Sequence, residues 1–196
     1  MKKLFTTLLV SFLAINISSA QVEQGTWLLG ATTDATSAGW SEVQLEPTIG
    51  YFLTDQFVLG MQLGFSNTTW EDFAPDGSTV IDGSSSVSNL TIGPWVRAYL
   101  NERFFMHAGV TMTSGSTKVD YSSSTGIDDV KSTNSGFALA AGPGMSLMWG
   151  DYIAFEPAML IQMSSSSVKP DGADKIKGPT TINVGFQIGV AVMIGY

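Results

Sequence analysis

Four ionisable side chains are spaced so that they could meet in a folded chain: Glu46, Arg97, His107 and Glu156. Each falls on the face of a predicted strand that otherwise carries glycine and small polar residues, and each lies within eight residues of a predicted tight turn. Inside a closed sheet, inward side chains at similar heights on different strands can reach one another. We therefore predict an interior polar cluster of Glu46, Arg97 and Glu156, with His107 at a similar height.

Two interpretations of this interior cluster follow from the cost of burying charge. Charged groups away from water need partners, so the cluster would lock a packed barrel core. Alternatively, the same residues would gate an ion or proton pathway. His107 is the only histidine and the chain has no cysteine, which excludes multi-histidine and thiolate metal sites. His107 is also predicted at the end opposite the outer leaflet, so we predict no catalysis and no bound cofactor or metal ion.

The first twenty residues indicate export. Two lysines precede an apolar run that extends to Ile17, and Ser-Ser-Ala follows, ending at Ala20. A basic start, a short apolar run and small residues before a cleavage site are typical of a secretory signal peptide. We predict that residues 1–20 are a signal peptide cleaved after Ala20, and that residues 21–196 form one exported domain.

Charge and cysteine content narrow the partners of the exported domain. The formal net charge is −8 at pH 7, which argues against nucleic acid as a partner. Because the chain has no cysteine, it has no disulfide and no lipidated amino-terminal cysteine. Backbone pairing and packing are therefore expected to supply its stability.

Beyond residue 21, alternation with a period of two dominates, and no stretch approaches the roughly 20 apolar residues that a membrane helix requires. At the carboxyl end, large apolar residues alternate with small and amide-bearing ones from Ile182 to Tyr196. The pattern predicts eight strands, near residues 24–34, 41–53, 57–68, 88–100, 103–116, 135–149, 152–165 and 181–196.

The predicted connections alternate in length, as is typical of transmembrane barrels with tight periplasmic turns and long outer loops. Tight turns are predicted at 54–56, 101–102 and 150–151, and long polar loops at 69–87, 117–134 and 166–180. Pro47, Pro94 and Pro143 each lie seven residues before a tight turn. Because proline is usually excluded from central strands, this repeat predicts bulges or a shared bend at one height.

The glycine-bearing face of each strand is predicted to point inward, since eight strands leave interior room only for side chains. Bulky apolar residues then face outward, which implies contact with lipid. Successive residues of a strand alternate between its two faces, and the face to which a residue belongs is called its parity here. Aromatic residues with outward parity near the tight turns predict a girdle at the membrane interface. This girdle comprises Trp27, Tyr51, Phe57, Phe104, Trp149 and Tyr196. A second girdle is predicted from Phe65, Trp70 and Phe137.

Two segments resemble the OmpA/OmpX-like outer-membrane β-barrel family: the Pro47-x-x-Gly-Tyr-Phe sequence leading to the turn at Asp55, and the alternating terminal strand that ends at Tyr196. The resemblance extends over all eight predicted strands. It implies an all-β fold, an eight-stranded antiparallel up-and-down transmembrane β-barrel in the bacterial outer membrane. It also implies lipid and lipopolysaccharide as surroundings, and recognition of the terminal strand by the barrel-assembly machinery.

These features favour a structural or surface-interaction role, with polar loops presented outside the cell to a partner that the sequence does not identify. Two alternatives stay open. A narrow channel or transporter would pass small solutes or ions past Arg97 and Glu156. A soluble calycin-like ligand carrier would instead turn its apolar face inward to line a cavity.

Overall fold

The computed structural model of the chain describes residues 23–34, 46–73, 79–121 and 128–195. The predicted signal peptide, the start of the second predicted strand at 41–45 and Tyr196 lie outside the described residues. Within the described ranges the regular elements are all strands, and none is a helix long and apolar enough to cross a membrane.

Nine strands form one antiparallel sheet. They are β1 (Trp27–Asp34), β2 (Glu46–Thr54), β3 (Phe57–Phe73), β4 (Thr79–Tyr99), β5 (Phe104–Tyr121), β6 (Val130–Met145), β7 (Leu147–Trp149), β8 (Ile153–Pro170) and β9 (Ile176–Ile194). β6 and β7 are two parts of one long strand, because Gly144 pairs with Ala158 and Leu147 pairs with Phe155 in one register along β8. β1 pairs with both β2 and β9, and pairing of β6 with β8 closes the sheet. The prediction of a closed eight-stranded antiparallel barrel is confirmed.

Most strands extend further than the sequence pattern predicts. Paired strands occupy most of the predicted loops 69–87, 117–134 and 166–180, so those loop bounds are wrong. β4, for example, begins at Thr79, nine residues before its predicted start. The three tight turns lie where they are predicted, after β2, β4 and β7.

Pro94 and Pro143 interrupt the hydrogen-bond ladders without shifting them. Ile92 pairs with Met112 and Trp95 with Gly109, which is one constant register on both sides of Pro94. The ladder between β6 and β8 keeps its register around Pro143 in the same way. Proline has no N–H to donate, so the pairing skips two residues at each site. The predicted bulges are therefore wrong at these two positions.

The two faces of the barrel wall differ in the predicted sense. On β3, Leu59, Met61 and Leu63 are 48, 42 and 50% exposed, whereas Gly60 between them is buried. Every strand turns bulky apolar residues outward in this way. A continuous apolar wall of this size is unfavourable in water and suits hydrocarbon.

The outward apolar belt has a clear upper edge. On β3 it extends from Phe57 to Phe65, about 30 Å along the strand and about 20 Å in height at a tilt near 45°. This height is close to the apolar band of outer-membrane barrels. Above it, the next outward residues are polar on each long strand: Asn67, Ser88, Ser114, Ser135, Ser165 and Thr180.

Closure of the sheet and the apolar belt together place the chain in a membrane. Backbone amides in lipid must all be paired, which a closed barrel achieves because it has no free edge. The protein is therefore a transmembrane β-barrel of the outer-membrane type. Six of its strands continue well above the belt; β4 has 21 residues, about 50 Å in height at the same tilt. Within the described ranges, β1 and β2 have 8 and 9 residues.

Candidate functional site in the barrel lumen

The lumen is filled by an apolar core at the tight-turn end. Its members are no more than 3% exposed: Leu28, Phe52, Val58, Trp95, Tyr99, Phe105, Ala154, Ala191 and Met193. They come from β1, β2, β3, β4, β5, β8 and β9, so the core contacts almost the whole circumference of the wall. The expectation that bulky apolar residues lie only outside is wrong for this half of the barrel. Here the interior is a packed core.

Inward glycines make room for the rings of this core. A Cβ atom on Gly50 would lie 2.6 Å from Cη2 of Trp95, and a Cβ on Gly60 would overlap the same indole ring. A Cβ on Gly144 would likewise overlap the ring of Phe105. Gly50, Gly60 and Gly144 are therefore positions at which large rings pack against the wall.

A polar network lies within the apolar core. Arg97 of β4 and Glu156 of β8 form an ion pair, with 2.6 Å between Nη1 and Oε2, and both residues are 3% exposed. Arg97 Nε donates a hydrogen bond of 3.4 Å to Nδ1 of His107. The hydroxyl of Tyr99 donates to Glu156 Oε1 at 3.5 Å. Side chains of β4, β5 and β8 thus form one connected network across the lumen.

Aromatic rings enclose the guanidinium of Arg97. Its Cζ lies 4.8 Å from the ring centroid of Trp95 and 4.7 Å from that of Phe105. The ring of His107 lies 5.8 Å from that of Trp95, measured between centroids. Cation–π contacts and the ion pair offset the desolvation of the guanidinium. These partners account for a charged group inside an apolar core.

A second polar layer lies nearer the loop end of the lumen. Gln62 donates from Nε2 to Glu46 Oε2 at 3.1 Å and to Thr111 Oγ1 at 3.3 Å. The hydroxyl oxygens of Thr91 and Thr113 are 3.3 Å apart. A polar cavity of about 240 Å³ adjoins this layer, and Glu46, Thr91 and Thr113 are among its lining residues.

The structure brings together Arg97, His107 and Glu156 and leaves Glu46 in the other layer. The expectation that Glu46 joins the ion pair is therefore corrected. Glu46 lies eight residues from its tight turn, whereas Arg97, His107 and Glu156 lie four or five residues from theirs, so Glu46 stands higher on the barrel wall. Within the described ranges, no three or more histidine, aspartate or glutamate side chains are grouped so that they could hold a metal ion.

The residues of the predicted lower girdle lie at strand ends. Trp27, Phe57 and Phe104 are the first residues of β1, β3 and β5, and Trp149 is the last residue of β7. Their exposed fractions range from 38 to 83%. Tyr51 is half-buried and packs against Trp27, with 4.9 Å between ring centroids.

The residues of the predicted upper girdle divide between the two faces. Phe65 and Phe137 face outward and are 77 and 41% exposed. Trp70 pairs with Ser85, a buried residue of the inner face, so its assignment to the lipid face is wrong. Tyr196, which completes the lower girdle in the prediction, lies outside the described residues.

The aromatic part of the network was missed by sequence reasoning, although a signal existed. Trp95 and Tyr99 flank Arg97 at a spacing of two residues, and Phe105 has the same relation to His107. The parity that places the charged residues inward also places these rings inward. Large aromatic residues near tight turns are easily interpreted as an interfacial girdle. Their parity distinguishes those that face the membrane from those that face the core.

No family model matches this sequence, and no curated protein matches it. Among solved structures, the outer membrane protein OprG of Pseudomonas aeruginosa is 15% identical with a TM-score of 0.49, covering 90% of this chain and 100% of that chain. The N-terminal β-barrel domain of OprF of the same organism is 11% identical with a TM-score of 0.46, and the match covers 88% of this chain and 100% of that chain. Ail, the attachment invasion locus protein of Yersinia pestis, is 14% identical with a TM-score of 0.44, and the match covers 87% of this chain and 99% of that chain. The membrane assignment itself stands on the closed sheet and the apolar belt.

Proposed function

We propose that this protein is a sealed outer-membrane barrel with a structural and surface-interaction role and no enzymatic activity. In this proposal, a signal peptide at residues 1–20 directs export, and the barrel-assembly machinery recognises the terminal strand. The observation that carries the proposal is the apolar core that fills the tight-turn end of the lumen. A barrel closed at one end acts through its outer wall and its external surface.

The packing of the lower lumen supports closure. Leu28 and Phe52 are fully buried and Phe105 is 1% exposed, so close-packed side chains exclude water from this section. The ion pair of Arg97 and Glu156 joins β4 to β8 across the lumen. A path through this section requires separation of a buried ion pair, which is strongly unfavourable when either charge loses its partner.

The wall above the membrane supports a surface role. Six strands continue there as hydrogen-bonded pairs, and their outward faces carry mainly serine, threonine and charged residues. Paired strands hold these side chains in a fixed arrangement, so the wall loses little conformational entropy when a ligand binds. A rigid polar surface above the bilayer suits contact with molecules of the cell surface.

Conductance in planar bilayers tests the seal. The wild-type protein is expected to give no discrete channel steps, because the core blocks the tight-turn end. The double variant Trp95→Ala and Phe105→Ala removes two rings from the core and is expected to introduce conductance. Leu63→Ala with Phe65→Ala is the matched control, since it removes bulk only from the lipid face and is expected to stay silent.

Two results would contradict the proposal. Steady wild-type conductance that Arg97→Ala abolishes or alters would favour the narrow channel. Release of the mature protein from membranes by alkaline carbonate would favour the soluble carrier. The folded state of every variant is checked by the change in gel mobility on boiling. A lack of conductance from an unfolded protein is therefore not interpreted as a sealed lumen.

A further inference from the structure

The lysines of this chain are gathered on one side of the barrel wall. Apart from the two in the predicted signal peptide, every lysine of the sequence lies on β5, β6, β8 or β9 or in the hairpin between β8 and β9. Four of them form a row, here called the lysine row: Lys118, Lys131, Lys169 and Lys177. All four side chains are exposed.

The lysine row stands at one level above the apolar belt. The last outward apolar residues on these four strands are Met112, Phe137, Met163 and Ile182. The lysines follow six, six, six and five residues further along their strands. Six residues correspond to about 20 Å along a strand and about 14 Å in height at a tilt near 45°. The row is therefore a band that follows the membrane surface around four neighbouring strands.

Strand register fixes the direction of these side chains. Residues paired across antiparallel strands share a face. Lys118 pairs with Lys131, and both have the parity of the lipid-facing residues below them. The remaining pairs, Lys169 with Thr133 and Lys177 with Ser167, lie on the same outer face. Lys175, just before β9, also reaches this face, because its Nζ donates to Ser135 Oγ at 3.2 Å.

The row concentrates positive charge, and within the described residues an ion pair compensates this charge only at Lys118. Like charges placed directly opposite each other, as in Lys118 and Lys131, destabilise a bare sheet. Lys118 has an ion-pair partner in Asp120, whose hydrogen bond and charge raise the pKa of Lys118 above its ordinary value. Within the described ranges, Lys131, Lys169 and Lys177 have no ion-pair partner. Such a band on a chain of net charge −8 suits an anionic ligand.

Hydroxyl groups fill the space between the belt and the row. The outward residues there are Ser114, Ser116, Thr133, Ser135, Ser165, Ser167 and Thr180. Going upward, a bound molecule meets apolar side chains, then hydroxyls, then ammonium groups. A lipid with acyl chains, a sugar headgroup and phosphates matches this order. The headgroup layer of a phospholipid adds only about 5–8 Å to each side of the hydrocarbon, so its phosphates lie below the row.

We propose that the lysine row binds the phosphate and carboxylate groups of lipopolysaccharide in the outer leaflet. This inference rests on the proposed outer-membrane role. It also predicts sidedness, because β3 and β4 lack lysine at the same level. Six residues above Phe65, β3 carries Glu71, and six residues above Leu90, β4 carries Ser84. Lipopolysaccharide therefore associates with the side of the barrel formed by β5 to β9.

The test is a titration of the refolded mature barrel, in zwitterionic detergent, with fluorescently labelled purified lipopolysaccharide, read by anisotropy. The triple variant Lys131→Gln, Lys169→Gln and Lys177→Gln removes three charges. Each lysine near an anionic surface contributes about fivefold to affinity, so the variant is expected to bind about a hundredfold more weakly. The matched control Asn67→Glu and Thr69→Glu adds two negative charges above the belt on the outer face of β3, which lies three strand spacings, about 14 Å, from Lys131 on β6. Its affinity is expected to stay within about threefold of wild type, since charges beyond a Debye length are screened.

Specificity for lipopolysaccharide is tested with two further probes. Enzymatically dephosphorylated lipopolysaccharide is expected to lose most of the difference between wild type and the glutamine variant. Vesicles of phosphatidylglycerol are expected to show no such difference, and equal dependence on the row there would overturn the assignment to lipopolysaccharide. Equal loss in the glutamine variant and the matched control would overturn the site. Because binding is measured apart from conductance, its failure leaves the proposed sealed barrel untouched, and the two failures are distinguishable.

Discussion

The two halves of the lumen are built from the same alternating strands but differ in what fills them. In the tight-turn half, Trp95, Phe105 and their neighbours pack against glycine and enclose the ion pair of Arg97 and Glu156. In the loop half, amide and hydroxyl side chains together with the carboxylate of Glu46 line a polar cavity of about 240 Å³. Period-two alternation is therefore compatible with either a packed core or a polar mouth.

The stability of the two halves differs in its sensitivity to single substitutions. The tight-turn half buries large rings and a compensated charge, and both are sensitive to changes of a single side chain. The loop half is held mainly by hydrogen bonds between amide and hydroxyl groups, each of modest net value, with one further hydrogen bond to the carboxylate of Glu46. Substitutions are therefore expected to destabilise the protein strongly in the first half and weakly in the second.

The largest effect is expected from Arg97→Ala. It leaves Glu156 buried without its ion-pair partner, which lowers the free energy of unfolding by about 3–5 kcal/mol. Urea unfolding in phospholipid vesicles measures the change. The double variant Arg97→Met and Glu156→Leu removes both charges and is expected to recover most of the loss. A double variant no more stable than Arg97→Ala would show that the network stabilises by some means other than charge compensation.

An intermediate effect is expected from Gly60→Ala, which would drive a methyl group into the ring of Trp95. Overpacking of this kind lowers the free energy of unfolding by about 1–3 kcal/mol. Gly136→Ala is the matched control in the loop half, because a Cβ there would lie 3.6 Å from the nearest atom, an ordinary contact. Its effect is expected to stay within about 0.5 kcal/mol. Equal effects of the two substitutions would contradict the contrast between the halves.

The smallest effect is expected from Thr113→Val in the loop half. The substitution removes one hydroxyl that lies 3.3 Å from that of Thr91 and keeps the shape of the side chain. Loss of one neutral hydrogen bond at a half-buried site lowers the free energy of unfolding by about 1 kcal/mol or less. Urea unfolding under the same conditions checks this value. A loss of unfolding free energy as large as that of Gly60→Ala would contradict the weaker stabilisation of the loop half.

Alternation in the sequence predicts where the membrane ends better than where the strands end. The predicted strand ends near 68, 116 and 165 fall close to the upper edge of the apolar belt. Outward residues must be apolar only in lipid, so the pattern stops at that edge while hydrogen-bonded pairing continues. Strand existence, number, face and the tight turns were thus predictable, but the extensions above the membrane were not.

Parity also predicts part of the candidate site. It places Arg97, His107 and Glu156 inside the barrel, and the structure brings them into contact. Parity alone does not give height along the barrel, and the separate layer of Glu46 follows instead from its distance to a turn, eight residues against four or five for the other three. It also cannot show which glycine will face which ring, because that depends on contacts between strands far apart in the sequence.

Iodide quenching of single tryptophans reports whether water reaches the tight-turn half of the lumen. Trp95 and Trp70 both lie on the inner face of the wall, one in the packed half and one in the loop half. In proteins that retain only one of them, with the other tryptophans changed to phenylalanine, iodide is expected to quench Trp70 and to leave Trp95 almost unquenched. Equal quenching of the two residues would mean that water reaches the tight-turn half of the lumen, and the barrel would then not be sealed.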